Sequence, residues 1–147
     1  MRRLAPACLT VLLILNVACG YIMAGTWEDD PRNWGRALQS TKPDDVLLVH
    51  SKYWRSPHWS YEFQYFLEIA PNAALQAQLF NENKLRKIAD SESEAVRRDV
   101  FGDAPSWFAP KAVTEYDVWV FEKEPGRHFK VLIDKQSGEI FLSDFNV

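Results

Sequence analysis

The sequence predicts an α+β domain, with an antiparallel sheet of about five strands and helices packed on one face. Residues 59–69 alternate strictly: Trp59, Tyr61, Phe63, Tyr65, Leu67 and Ile69 take one side, and Ser60, Glu62, Gln64, Phe66 and Glu68 the other. That period is the mark of a strand with one buried face. The last third of the chain adds short β-rich runs at 115–122, 129–134 and 139–145, punctuated by turn residues. Between the two groups, residues 72–101 carry helical spacing. The expected order is α-β-β-α-α-β-β-β.

Asp30-Pro31 starts the first element as a helix, with Asp30 as cap and Pro31 at the first helical position. Trp34 and Leu38 fall four apart on its apolar side, and 42–45 reads as a turn. Residues 46–54 form the first strand, and 55–58 connect it to the second, since Pro57 cannot join a central ladder. Leu75, Leu79, Leu85 and Ile88 give a helix over 72–89 an imperfect apolar stripe, with Lys84, Arg86 and Lys87 near its end. Ser91 and Glu94 have capping-box spacing for a short helix reaching Phe101, stopped by Gly102. Residues 103–112 form a loop stiffened by Pro105 and Pro110, and Gly138 suits a hairpin turn after Asp134.

The start of the chain has a different character. Arg2 and Arg3 precede an apolar run over 4–15, followed by small residues at Val17, Ala18 and Gly20. This is the layout of a secretory signal, too short for a permanent membrane span. The segment Leu15-Asn16-Val17-Ala18-Cys19-Gly20 resembles the lipobox of bacterial lipoproteins, although Asn16 stands where that family usually has an aliphatic residue. The resemblance covers these residues alone. It implies a small bacterial lipoprotein, acylated at Cys19 and held in membrane lipid, with a signal peptide over 1–18, a tether over 19–29 and one globular domain over 30–147. Gly20 in place of Asp implies the periplasmic face of the outer membrane. Ordinary cleavage after Ala24 would instead leave a soluble periplasmic protein.

Composition excludes several functions. Apolar residues make up 47% of the chain, which is enough for a core. Arg2 and Arg3 leave with the signal, so 20 acidic residues face about 15 basic ones, and no basic cluster suits nucleic acid. Cys8 and Cys19 both lie in the leader, so the mature fold has no disulfide, thiol nucleophile or cysteine metal site. His50, His58 and His128 match no metal-ligand spacing, and neither metal nor cofactor is expected. No catalytic motif is present.

The candidate partner-binding residues are aromatic. Trp54 and Trp59 bracket Arg55 and His58, and Trp107-Phe108 lies between two prolines in a stiff loop. Trp, Tyr and Arg dominate binding energy at interfaces. Against this, Trp54 and Trp59 could cap the core around Trp34, and Trp107-Phe108 could fold back as a lid. The expected role is non-enzymatic binding of an envelope protein, of assembly or immunity type. Two alternatives are glycan binding through the tryptophans and a small hydrolase using His58 and Glu62, whose backbones would stand about 13 Å apart on a strand.

Overall fold

A computed structural model describes residues 24–57, 62–89, 104–122 and 128–146. The expected α+β arrangement of five strands is corrected. Among the described residues the fold is mostly antiparallel sheet, with seven strands and only two α-helices. The strands are β1 (Gly25–Glu28), β2 (Leu48–Arg55), β3 (Phe63–Ile69), β4 (Leu85–Lys87), β5 (Tyr116–Phe121), β6 (Lys130–Asp134) and β7 (Ile140–Asn146). The helices are α1 (Asn33–Leu38) and α2 (Ala73–Glu82). The spatial order is β1-β2-β3-β7-β6-β5-β4, and every neighbouring pair is antiparallel. The expected helix over 91–101 lies outside the described residues.

Two segments account for the extra strands. Residues 25–28, expected as tether, pair with Arg55 to Lys52 of β2 as an edge strand. The expected helix over 72–89 stops at Glu82, because Asn83 adopts an extended backbone while its side chain and amide both donate to the Leu79 carbonyl. Leu85–Lys87 then pairs with β5. Leu85 packs with one core cluster and Ile88 with the other. A spacing of three shares a face on a helix but takes opposite faces on extended chain, so the apparent stripe misled.

The single buried face expected for the sheet is also corrected. On one side Tyr53, Tyr65, Leu67, Ile69, Val131, Ile133, Ile140 and Leu142 pack with Trp34 of α1 and with Leu75 and Leu79 of α2. On the other, Phe66, Val118, Leu132 and Phe141 pack with Phe108, Ala109 and Val113. A strap over 104–115, ending in a single 3-10 turn at Val113–Glu115, covers that second face. Phe66 alternates with its neighbours as expected, but it points into this second core.

Helix α1 has only six residues, too few to persist by itself. Tertiary contacts hold it. The fully buried Asn33 amide donates to the Trp27 carbonyl at 2.9 Å and to Ser51 Oγ at 3.1 Å. Arg36 lies 4.5 Å over the Trp27 ring and 3.2 Å from the Asp30 carboxylate. Asp30 accepts from the Arg32 amide at 2.8 Å, and its carboxyl is held far below the usual range, first by the Arg32 side chain. Helix α2 is capped by Asn72, whose Oδ1 accepts from the Leu75 amide at 2.8 Å. Gly138 takes φ +77° in the β6–β7 turn, as the hairpin requires.

Candidate functional site

Among the described residues, those singled out by sequence do not form one surface. Cys19, His58 and Trp59 lie outside the described residues. Trp54 and Arg55 close β2, and the Ser56 amide donates to the Glu62 carbonyl across the following connection. Tyr53 belongs to the helix-covered core, so strand alternation sends Trp54 to the opposite face, away from Trp34. Trp27 takes the place beside α1, with its ring 6.0 Å from Tyr53.

Trp107 and Phe108 belong to the strap. Phe108 is only 2% exposed, and its ring meets Phe66 at 5.0 Å and Phe141 at 5.5 Å, edge to face. It is a core residue and presents nothing to a partner. Trp107 is half-buried and stacks on His50 at 5.4 Å. His50 and Trp54 are four residues apart on β2, about 13 Å along the strand, so Trp107 and Trp54 make no joint platform.

A small polar group surrounds His50. Its Nδ1 lies 3.2 Å from the Asp29 carboxylate, and Glu68 sits opposite on β3. The Ser51 amide, then His50, holds the Asp29 carboxyl below its usual range, while burial pushes Glu68 up. No nucleophile joins them in the hydrogen bonds described. Among the described residues, no cluster of three or more His, Cys, Asp or Glu side chains could hold a metal.

A further feature lies on the helix-covered face. A groove of about 490 Å³ opens between the C-terminal ends of α1 and α2, within the roughly 300–1,000 Å³ range of ligand pockets. Phe63 and Tyr65 of β3, with Phe121 and Phe129, make its floor. The Phe63 and Tyr65 rings are nearly parallel at 6.2 Å, and Phe121 meets Phe129 at 5.3 Å. Trp34 forms part of the wall, with its Nε1 donating to Ser40 Oγ at 3.3 Å. Gln78, Glu82 and Asn83 rim one side, Gln39, Ser40 and Thr41 the other, and Asp144 rises from β7. No Lys or Arg is among the described lining residues. Such a site can enclose an apolar group and pair its polar or cationic end with amides and carboxylates.

Sequence reasoning missed this groove because Phe63 and Tyr65 read as ordinary core residues. One signal was present: Gln78 and Glu82 stand one turn apart beside Leu75 and Leu79, so a polar border runs along the inward-facing side of α2. The fold and groove define a class, an antiparallel sheet with a helix-walled aromatic cleft. No protein-family model matches this chain, and it has no significant similarity to any curated protein or any solved structure. No helix among the described residues is long and apolar enough to cross a membrane.

Proposed function

We propose that this chain is an exported cell-envelope protein, lipid-anchored at Cys19 on the periplasmic face of the outer membrane, whose domain binds a protein partner without catalysing a reaction. The lipobox-like segment supports the anchor. The aromatic groove between α1 and α2 carries the binding role: its floor offers Phe63 and Tyr65, and Gln78, Glu82 and Asn83 border it. The chain is acidic overall, so the partner is basic, and electrostatic steering makes capture salt-sensitive.

The test is retention of envelope proteins on the immobilised chain at low and high salt, with Glu82→Lys and Ala37→Trp as groove variants and Trp107→Ala as a control outside the groove. Retention that both groove variants and salt abolish, and Trp107→Ala leaves intact, is the expected outcome. Retention that ignores both groove variants sinks the reading. Enrichment of muropeptides in place of a protein would move it to glycan binding.

A further inference from the structure

Strand β1 covers only part of β2. It pairs with residues 52–55 and ends at Glu28. Asp29 then makes the last ladder contact in an unusual way. Its amide donates to the Ser51 carbonyl at 2.7 Å, while its side-chain Oδ1 accepts from the Ser51 amide at 2.8 Å. A side chain thus stands in for the backbone carbonyl, and the chain turns away at Asp29 through φ +49°, a region that Asp tolerates better than most residues. Leu48, Val49 and His50 are left without a strand neighbour on that side among the described residues.

The bonds to β3 show where the freed backbone groups point. The Ala70 amide donates to the Leu47 carbonyl, and Leu48 lies opposite Ile69. Bonding direction alternates along an antiparallel strand. Leu47 faces β3, so the Leu48 N–H and C=O point the other way, into the space that β1 leaves. No described group hydrogen-bonds to them. That space is a cavity of about 250 Å³. Leu47 and Val49 flank it and are 65% and 42% exposed, with Val49 at the register shift in β2. Asp29 and Asp30 line one end, beside Ser51. Lys42 lines the other, and its Nζ donates to the Val46 carbonyl at 2.6 Å and the Pro43 carbonyl at 3.0 Å. An ammonium has three donors, and among the described residues Lys42 has no carboxylate partner.

We propose that this gap takes the extended C-terminal end of a partner chain, which continues the line of β1 by pairing with Leu48. A residue of extended chain opposite Leu48 exchanges both backbone hydrogen bonds with it. The charges set the direction. A segment antiparallel to β2 enters past Asp29 and Asp30 and ends at Lys42, whose third donor takes the terminal carboxylate. The reverse direction would press that carboxylate against Asp29 and Asp30. The residues on either side of the paired one lie beside Leu47 and Val49, so the last and third-from-last residues of the partner are apolar. The site is separate from the groove between the helices and does not rest on it.

The experiment uses the full-length chain in detergent and a library of fluorescein-labelled peptides. Each peptide has a Gly/Ser spacer, three varied residues and a free C-terminus, and binding is read by fluorescence polarisation. The tightest members should carry aliphatic or aromatic residues at the last and third-from-last positions. Amidating their C-terminus should weaken them about tenfold, the scale of one hydrogen bond to a charged group. N-methylation of the middle residue removes the donor for the Leu48 carbonyl and should abolish binding. Exchange of the Leu48 amide hydrogen, followed by NMR, should slow in the complex. Lys42→Met, checked for folding by circular dichroism, should weaken the free acids about tenfold and leave the amides unchanged. Lys42→Arg should keep the preference for the free acid.

A library with no member binding at about 1 mM overturns the site. Binding indifferent to amidation and to Lys42→Met overturns the terminal carboxylate as the recognised group. Binding indifferent to N-methylation, with Leu48 exchange unchanged, overturns the strand pairing.

Discussion

The two faces of the sheet are covered by different means, and the difference decides where a ligand can enter. On one face, two helices lie over Tyr53, Tyr65 and Leu142. Helices are stiff rods, and where their ends diverge on a twisted sheet a gap remains. That gap is the groove above Phe63 and Tyr65. On the other face the cover is irregular chain, which can follow the sheet's contour. Phe108 fits between Phe66 and Phe141. The Lys111 amide donates to Tyr116 Oη at 3.0 Å, and Lys111 Nζ pairs with the buried Asp134 carboxylate at 2.6 Å. A strap can close a surface that rods leave open, at the cost of ordering chain without regular backbone hydrogen bonds.

This contrast can be broken most directly at Phe108. Phe108→Ala removes a ring from the closed face and is expected to cost about 3–5 kcal/mol in urea unfolding. A loss under about 1 kcal/mol would mean that the strap is not part of the core.

Filling tests sharpen the comparison. Ala109 on the strap is 2% exposed and has φ +43°, so nothing larger fits without displacement. Ala109→Leu should destabilise by about 1–3 kcal/mol through overpacking.

The ion pair under the strap gives a pH signature. The Asp134 carboxyl is pushed down from 3.8 to about 2, chiefly by Lys111 Nζ and then by the Ser137 amide. A carboxyl held lower in the folded state stabilises fully above its unfolded value, and that contribution fades as pH falls through the folded one. Lys111→Met should therefore lower stability near pH 5 and differ little from the parent near pH 2. Urea midpoints at the two pH values measure this, and an equal loss at both would assign the effect to packing alone.

The smallest expected change is on the open face. Ala37 lines the groove, and Ala37→Leu keeps helix propensity while occupying space that is already empty. Its stability should stay within about 0.5 kcal/mol of the parent. Destabilisation comparable with Ala109→Leu would show that the groove is not open room.

Much of the strand framework was legible in the residues themselves. Alternation from Phe63 to Ile69 marks β3, and β-branched and aromatic runs mark β5, β6 and β7, because side chains on a strand must sort between two faces whatever lies beyond them. Gly138 marks its turn because few other residues tolerate a positive φ. Tertiary pairing decided what local pattern could not. Gly25–Glu28 and Leu85–Lys87 are too short to be strands on their own and exist because β2 and β5 offer them ladders. Burial of the second face depended on a strap whose prolines indicate stiffness but not direction. The groove was beyond sequence for the same reason: Phe63 and Tyr65 look alike whether a helix covers them or stops short. Period and turn chemistry are properties of a few neighbouring residues, so the sequence by itself determined where most of the longer strands run and where the last hairpin reverses. Covering and gap depend on which distant segments meet, and only the tertiary structure decided those.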